Sequence, residues 1–206
     1  MIPAAWPFVL SFLGLAALLV AFQSWWWAAI PLLAAAGAAF FFRDPERIPP
    51  AGEDLLVSPA DGRVVEASAA AEGGRIGIFL SLLDVHVNRS PVGGTVESVR
   101  YKPGSFRPAY ERLASESNER NTLDLRSPWG RLEVSQIAGL IARRITCYKR
   151  AGDVVFRGER IGHIAFGSRT ELILPPGAEI TVRPGDHVRG GETVVARLGP
   201  EGGPQP

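Results

Sequence analysis

The chain has 206 residues, of which 46% are hydrophobic, and a formal net charge of +1. That length suits one domain of ordinary size plus an additional segment, and the near-neutral charge gives no basis for nucleic-acid binding. Cys147 is the only cysteine, which excludes an intramolecular disulfide framework and a cysteine-based zinc cluster, so no metal site is expected and Cys147 reads as a buried thiol in a reducing compartment.

Residues 1–42, MIPAAWPFVLSFLGLAALLVAFQSWWWAAIPLLAAAGAAFFF, contain no Asp, Glu, Lys, Arg or His, and Gln23 and Ser24 interrupt the apolar run near its centre. Each half is about 18 residues long, near the lower limit of the roughly 17–25 residues that a spanning helix needs. Trp25, Trp26 and Trp27 sit at the break, where amphipathic rings favour a membrane interface. The segment predicts a hydrophobic α-helical hairpin that spans the cell membrane or, because both halves are short and Pro31 interrupts the second, lies in one leaflet. A cleaved signal peptide fits less well, since no positive region precedes the first stretch and a second stretch follows it. Arg43 and Arg47 flank the second stretch while the turn is uncharged, so the positive-inside rule puts residues 43–206 on the cytoplasmic side.

From residue 43 onward the chain predicts a mainly β domain. Short runs rich in Val and Ile, such as GRVVEA, RIGIFL, GTVESV and ELILP, are separated by Gly, Pro and Asp turns, the pattern of a sandwich or barrel. PAYERLASESNERN, residues 108–121, is polar and reads as a loop or a short helix. An internal repeat is visible. GDVVFRGERIGHI from Gly152 matches GDHVRGGETVVAR from Gly185, and SPADGRVVE from Ser58 matches SPVGGTVES from Ser90. Gly-Asp corners make tight turns and the alternating valines supply one buried face. Paired hairpins of this kind resemble the barrel-sandwich halves of biotinyl and lipoyl carrier domains. A carrier presents a modifiable lysine at a hairpin tip, whereas here Lys149 lies ahead of the first repeat; the repeat is better read as scaffold.

HIAFGSRTEL, residues 163–172, reads as one strand with Gly167 and Ser168 in its body, where glycine has no packing reason to be. It has a chemical one, because the missing Cβ lets a neighbouring nucleophile approach the glycine carbonyl. Attack by the Ser168 hydroxyl would convert the amide to an ester, and elimination followed by hydrolysis would leave a pyruvoyl group. Serine needs a base for this, and histidine with a carboxylate to orient it is the usual supply. Of the three histidines, His187 lies in a repeat turn exposed to solvent, His163 is on the strand of Ser168 but faces away by alternation, and His86, between strand-like residues, reads from the residues alone as a hydrogen-bonded core histidine. Asp61 in SPADG reads as a turn residue, with Asp84 close to His86 in sequence. Arg143 and Arg144 suit bidentate phosphate or carboxylate recognition.

FFRDPER, SPADG, DVHVNRSP, QIAGLIARRI and FGSR followed by LP, in this order behind an apolar N-terminus, resemble the short form of phosphatidylserine decarboxylase, a self-cleaving pyruvoyl enzyme. The resemblance runs from about Phe41 to Pro175. It implies scission between Gly167 and Ser168 into a β chain (1–167) and an α chain (168–206), a pyruvoyl cofactor derived from Ser168, and decarboxylation of a membrane phospholipid through a Schiff base. It also implies that Asp61 orients His86 for processing, decarboxylation or both, and that Arg143 or Arg144 meets the headgroup. Longer family members carry L-G-S-T where this chain has Phe166, Gly167, Ser168 and Arg169, and a second histidine where it has Arg89. Two other readings stay open: a pyruvoyl decarboxylase for a related phosphoserine lipid or a soluble amino acid, and a non-catalytic lipoyl-like membrane module. Homo-oligomerisation is compatible with all of them.

Overall fold

The apolar N-terminus folds as two helices. A turn of 3-10 helix, Pro3–Ala5, leads into α1 (Trp6–Ala21), with Pro7 in the first turn, where its missing N–H breaks no helical bond. Gln23, at φ 58°, closes α1 in the left-handed region. α2 (Ala29–Phe41) then returns antiparallel, so that the Ile2 N–H donates to the Phe42 carbonyl at 3.0 Å and Phe8 stacks on Phe42 with centroids 5.6 Å apart. Small residues, Ala16 and Ala35 among them, are buried, while Leu10, Leu18 and Leu33 are exposed. Pro3–Ala21 is 19 residues long with mean hydropathy 2.1, about 28 Å at 1.5 Å per residue and close to a bilayer core. α2 has 13 residues, about 20 Å, and is shorter than the sequence predicts. The tryptophans are spent on successive turns, Trp27 N–H donating to Ser24 and Ala28 N–H to Trp25, at 3.0 and 3.2 Å.

This computed structural model describes residues 1–70, 73–106, 117–139, 144–165 and 168–199. The chain divides after Glu46, and Arg47 belongs to the second, β unit. There its guanidinium is held by Asp61 and Glu192, both at 2.8 Å, so Arg43 is the cation left to flank α2.

The β unit contains β1 (Leu55–Val57), β2 (Gly62–Ala70), β3 (Gly73–Leu80), β4 (Val87–Arg89), β5 (Gly94–Lys102), β6 (Arg120–Ser127), β7 (Gly130–Ile137), β8 (Ile145–Cys147), β9 (Val154–Val155), β10 (Arg160–Ile164), β11 (Ser168–Ile173), β12 (Ala178–Ile180), β13 (His187–Val188) and β14 (Val194–Leu198). A curled eight-stranded sheet runs β13-β2-β3-β11-β7-β6-β5-β9, accompanied by two three-stranded sheets, β1-β14-β12 and β4-β10-β8.

This order is two-fold. Reading inward from each edge of the large sheet, β13, β2, β3 and β11 match β9, β5, β6 and β7, and the small sheets match each other. The sequence repeat is therefore a structural duplication, down to single bonds. Asp186 accepts from the Arg183 N–H and Asp153 from the Arg150 N–H, both at 2.8 Å. Gly185 donates to Val64 and Gly152 to Val96, again at 2.8 Å. β2 and β5 each shift register one step after their first valine, at Val64/Glu66 and Val96/Ser98. One apolar cluster, including Leu56, Val64, Ile78, Leu123, Leu132 and Leu172, fills the interior. Lys149 is ion-paired with Glu159, which leaves it in the scaffold and not at a carrier tip.

The halves differ in connectivity. In one, β6 turns directly into β7, with Ser127 opposite Gly130. In the other, the equivalent pair is Leu80 opposite Ser168, and residues 81–167 are inserted between them. The expected single strand across Gly167 and Ser168 is thus two strands: β10 ends at Ile164 in a small sheet and β11 opens at Ser168 in the large one. His163 and Ser168 lie on different sheets, and alternation along one strand does not relate them.

Candidate active site

Ser168, the first residue of β11, is fully buried, and its Oγ has no hydrogen-bond partner among the described residues. Leaving a buried hydroxyl unpaired costs about 1–3 kcal/mol, so the position requires an explanation. Thr170 and Leu172 share its face of β11 by alternation. Thr170 Oγ1 accepts from Asn88 Nδ2 at 2.9 Å, Asn88 Oδ1 accepts from Gln136 Nε2 at 2.9 Å, and Gln136 Oε1 accepts from Asn121 Nδ2 at 3.0 Å. This buried amide chain ties β4, β7 and β6 to β11. The sequence reading missed it, although Asn88 follows His86, and Thr170 follows Ser168, at the same two-residue spacing.

His86 is buried beside this chain, just before β4. Its carbonyl accepts the Ile164 N–H at 3.1 Å, which brings it to the last residue of β10, four residues ahead of Ser168. Asn88 lies two residues after His86, and Thr170 two residues after Ser168. His86 Nδ1 lies 3.0 Å from the Asp84 carbonyl oxygen. A carbonyl only accepts, so Nδ1 carries a proton, and in the neutral ring the lone pair is on Nε2.

Asp61 immediately precedes β2. Arg63 pairs with Phe79 and Phe79 with Arg169, so Asp61, the end of β3 and Ser168 occupy one end of the large sheet. The Asp61 carboxylate accepts from Arg47 Nη2 and from the Gly190 N–H, each at 2.8 Å. The Asp84 carboxylate caps its own loop, accepting from Ser81 N–H and Oγ at 2.8 and 2.6 Å; it is the carbonyl of Asp84 that orients His86. Arg144 is exposed, and its carbonyl accepts the Ala165 N–H at 3.2 Å, close in sequence to Ser168. Arg143 and Gly167 lie outside the described residues, as does most of 108–121. Arg89 is buried and donates to the Gly158 carbonyl at 3.0 Å. Cys147 is half-buried rather than buried, with Sγ 3.4 Å from the Lys149 carbonyl. His187 is exposed, 3.8 Å from Asp84.

His163 is the second buried histidine. It pairs with Val87, next to His86, and its Nδ1 is 2.8 Å from the Tyr148 hydroxyl. Burial, reinforced by the Arg144 charge, holds its imidazole below the usual range.

A profile of the phosphatidylserine decarboxylase family matches residues 35–196. The chain belongs to the phosphatidylserine decarboxylase family. Proteins named phosphatidylserine decarboxylase proenzyme are similar to it over most of its length. That of Granulibacter bethesdensis is 49% identical over 210 residues, covering 96% of this chain and 85% of the relative. That of Symbiobacterium thermophilum is 47% identical, covering 94% and 93%, and that of Gluconacetobacter diazotrophicus 52% identical, covering 76% and 75%. The span matched to the phosphatidylserine decarboxylase profile contains Asp61, His86, Arg144 and Ser168.

The environment of His163 has a consequence for stability. Unfolded, this imidazole takes up a proton as pH falls through about 6.5, whereas the folded protein resists it. Its contribution is therefore full above that pH and declines as pH falls below it. Melting temperature measured from about pH 7.5 to 5 should drop more steeply for the wild type than for His163→Gln; equal slopes would assign the acid sensitivity to other groups.

Proposed function

We propose that this chain is a self-processing enzyme that decarboxylates phosphatidylserine to phosphatidylethanolamine. The observation that carries the reading is the buried Ser168 hydroxyl, without a partner among the described residues, at the head of a central strand. The names of the relatives agree with it.

His86 Nε2 takes the proton of Ser168 Oγ, and Oγ attacks the Gly167 carbonyl carbon. The Gly167–Ser168 C–N bond breaks, the nitrogen gains a proton, and an ester joins the two residues. Removal of the Ser168 α-proton then breaks the Cβ–Oγ bond and releases Gly167 as the C-terminal carboxylate of the 1–167 chain. Water adds to the dehydroalanine nitrogen–carbon unit that remains, ammonia leaves, and a ketone heads the 168–206 chain. Asp61, fixed by Arg47 and Gly190 at the same end of the sheet, favours the charged imidazole that His86 becomes in the first step.

The site's residues fit such a pyruvoyl group, because the position is buried, its face is lined by a satisfied polar chain, and a histidine lone pair lies in the same region. When bound to the substrate amine, the ketone supplies an electron sink for loss of CO2. The burial of Ser168 and His86 keeps water from the departing carboxylate, and His86 returns a proton to the substrate carbon. Arg144, exposed ahead of Ser168, receives the anionic headgroup, with Arg143 beside it in sequence. Residues 1–42 form the membrane hairpin that holds residues 43–206 at headgroup level, on the cytoplasmic side by the charge of Arg43.

Ser168→Ala should leave a folded, full-length and inactive chain on a denaturing gel, and the wild type two fragments whose C-terminal mass fits a pyruvoyl head. Persistent cleavage in the variant would exclude this mechanism. His86→Ala should lose decarboxylation by at least about a hundredfold, in line with general acid–base contributions; full activity would transfer the proton role, with His163 tested next.

Deleting residues 1–40 removes α1 and all of α2 but Phe41, and none of Asp61, His86, Gly167 or Ser168. Self-cleavage should proceed, while the ratio of vesicle to detergent-micelle activity falls, because the site is no longer concentrated at the bilayer. An unchanged ratio would remove the anchoring role.

A further inference from the structure

The duplication supplies an internal control for the residue that follows Ser168. Ser168, Arg169, Thr170 and Glu171 open β11 as Gly130, Arg131, Leu132 and Glu133 open β7, and the registers agree: Arg169 lies opposite Phe79 where Arg131 lies opposite Arg126. The two arginines nevertheless end in opposite surroundings. The Arg131 side chain is 75% exposed and meets Glu97 at the surface. The Arg169 side chain is 3% exposed; Nη2 donates to Glu66 at 2.5 Å, and Nε lies 2.9 Å from Glu171 as an ion pair without the alignment of a hydrogen bond. Gly77 makes the room. It stands opposite Glu171 where the other half places Asp124 opposite Glu133, and a Cβ on Gly77 would come within 2.5 Å of the Arg169 guanidinium.

Glu171, itself buried, also lies 3.7 Å from Arg75 and 3.6 Å from Arg120. Such a cluster is weak evidence for stability, since well-packed apolar side chains could fill the same volume at no greater cost. Its membership points elsewhere. Glu66, Arg75 and Arg120 precede the proposed scission, and Arg169 and Glu171 follow it, so the charges interlock the two products. Once the Gly167–Ser168 bond is gone, residue 168 is a chain terminus, and termini fray unless tied down. Arg169 is the first side chain able to tie it, from the face opposite the reacting group.

We propose that Arg169 is a positioning residue, whose buried fork between Glu66 and Glu171 fixes the new N-terminus so that the carbonyl made from Ser168 keeps one orientation toward substrate. This rests on the self-processing reading above. A lysine keeps the charge but lacks the planar fork that spans two carboxylates.

The test uses full-length Arg169→Lys and, as a milder partner change, Glu66→Gln, whose carboxylate is part-exposed. Fragment masses, cooperative melting, kcat and KM on mixed micelles of detergent and phosphatidylserine, and the rate at which phenylhydrazine captures the ketone are measured for each. In Arg169→Lys, cleavage should be complete and KM within about twofold of wild type, while kcat falls about ten- to a hundredfold, the scale of an ångström misplacement, and hydrazine capture changes with it. Glu66→Gln should give the same split in weaker form. Wild-type kcat in both cleaved variants would overturn the proposal, as would a kcat loss in Glu66→Gln accounted for by uncleaved or unfolded protein. A wild type that cleaves without forming a ketone would instead overturn the reading on which it rests.

Discussion

The pairing of Leu80 with Ser168 is the constraint on which the rest of the β unit depends. It closes one half of the duplication across an insertion that carries all of the other half, β4 to β10, and it does so where that other half has an ordinary hairpin between Ser127 and Gly130. β11 is thereby held by ladders on both sides, to β3 and to β7. A strand fixed in this way does not need its upstream peptide bond to stay in register. That makes the bond before Ser168 a place where the chain can be opened inside the core without loss of the sheet.

The same pairing explains the polar interior. A central strand covered on one face by a small sheet would normally be apolar on that face, as Leu172 is. Ser168 and Thr170 break the pattern, and the two are treated differently. Thr170 is satisfied through Asn88, Gln136 and Asn121, whereas no partner for Ser168 Oγ is found among the described residues. A fully connected network next to an unsatisfied hydroxyl concentrates the energetic cost on one atom. Local rules are broken in this way at sites where chemistry requires it and the surrounding core bears the cost.

Much of this was legible in the sequence because it is written locally. The G-D-x-V and S-P repeats specify turns whose bonds recur in both halves, whereas the Gly-Ser dipeptide, read as a flaw inside one strand, falls in sequence where β10 has ended and β11 begins. What was not legible depends on partners distant in the chain. β10 and β11 read as one strand because both are buried, and hydrophobic pattern does not register a change of sheet. The burial of Arg169 rests on Gly77, and His86 Nδ1 meets a backbone carbonyl, neither of which has a sequence signal. Arg47 looked like a membrane flank, yet Asp61 and Glu192 claim it for the β unit. The second apolar segment kept its composition but lost its expected length, since composition does not distinguish a helix from a run of apolar turns.

The division of labour between the proposed chains follows from topology. Among the described residues from 168 onward, β11, β13 and β14 pair with β3, β2 and β1, so three of the four strands there are hydrogen-bonded to strands ahead of the proposed scission. The same stretch also buries Leu172, Leu174, Val188, Val195 and Leu198 in the shared core, at about 1.5–3 kcal/mol for each large side chain. Separation of the fragments would expose these residues and leave unpaired strand edges, so association persists without a covalent link. The proposed cleavage would then change the functional group at residue 168 while the surrounding scaffold stays in place. A catalytic carbonyl can thus be made after folding, inside a site whose walls were already assembled.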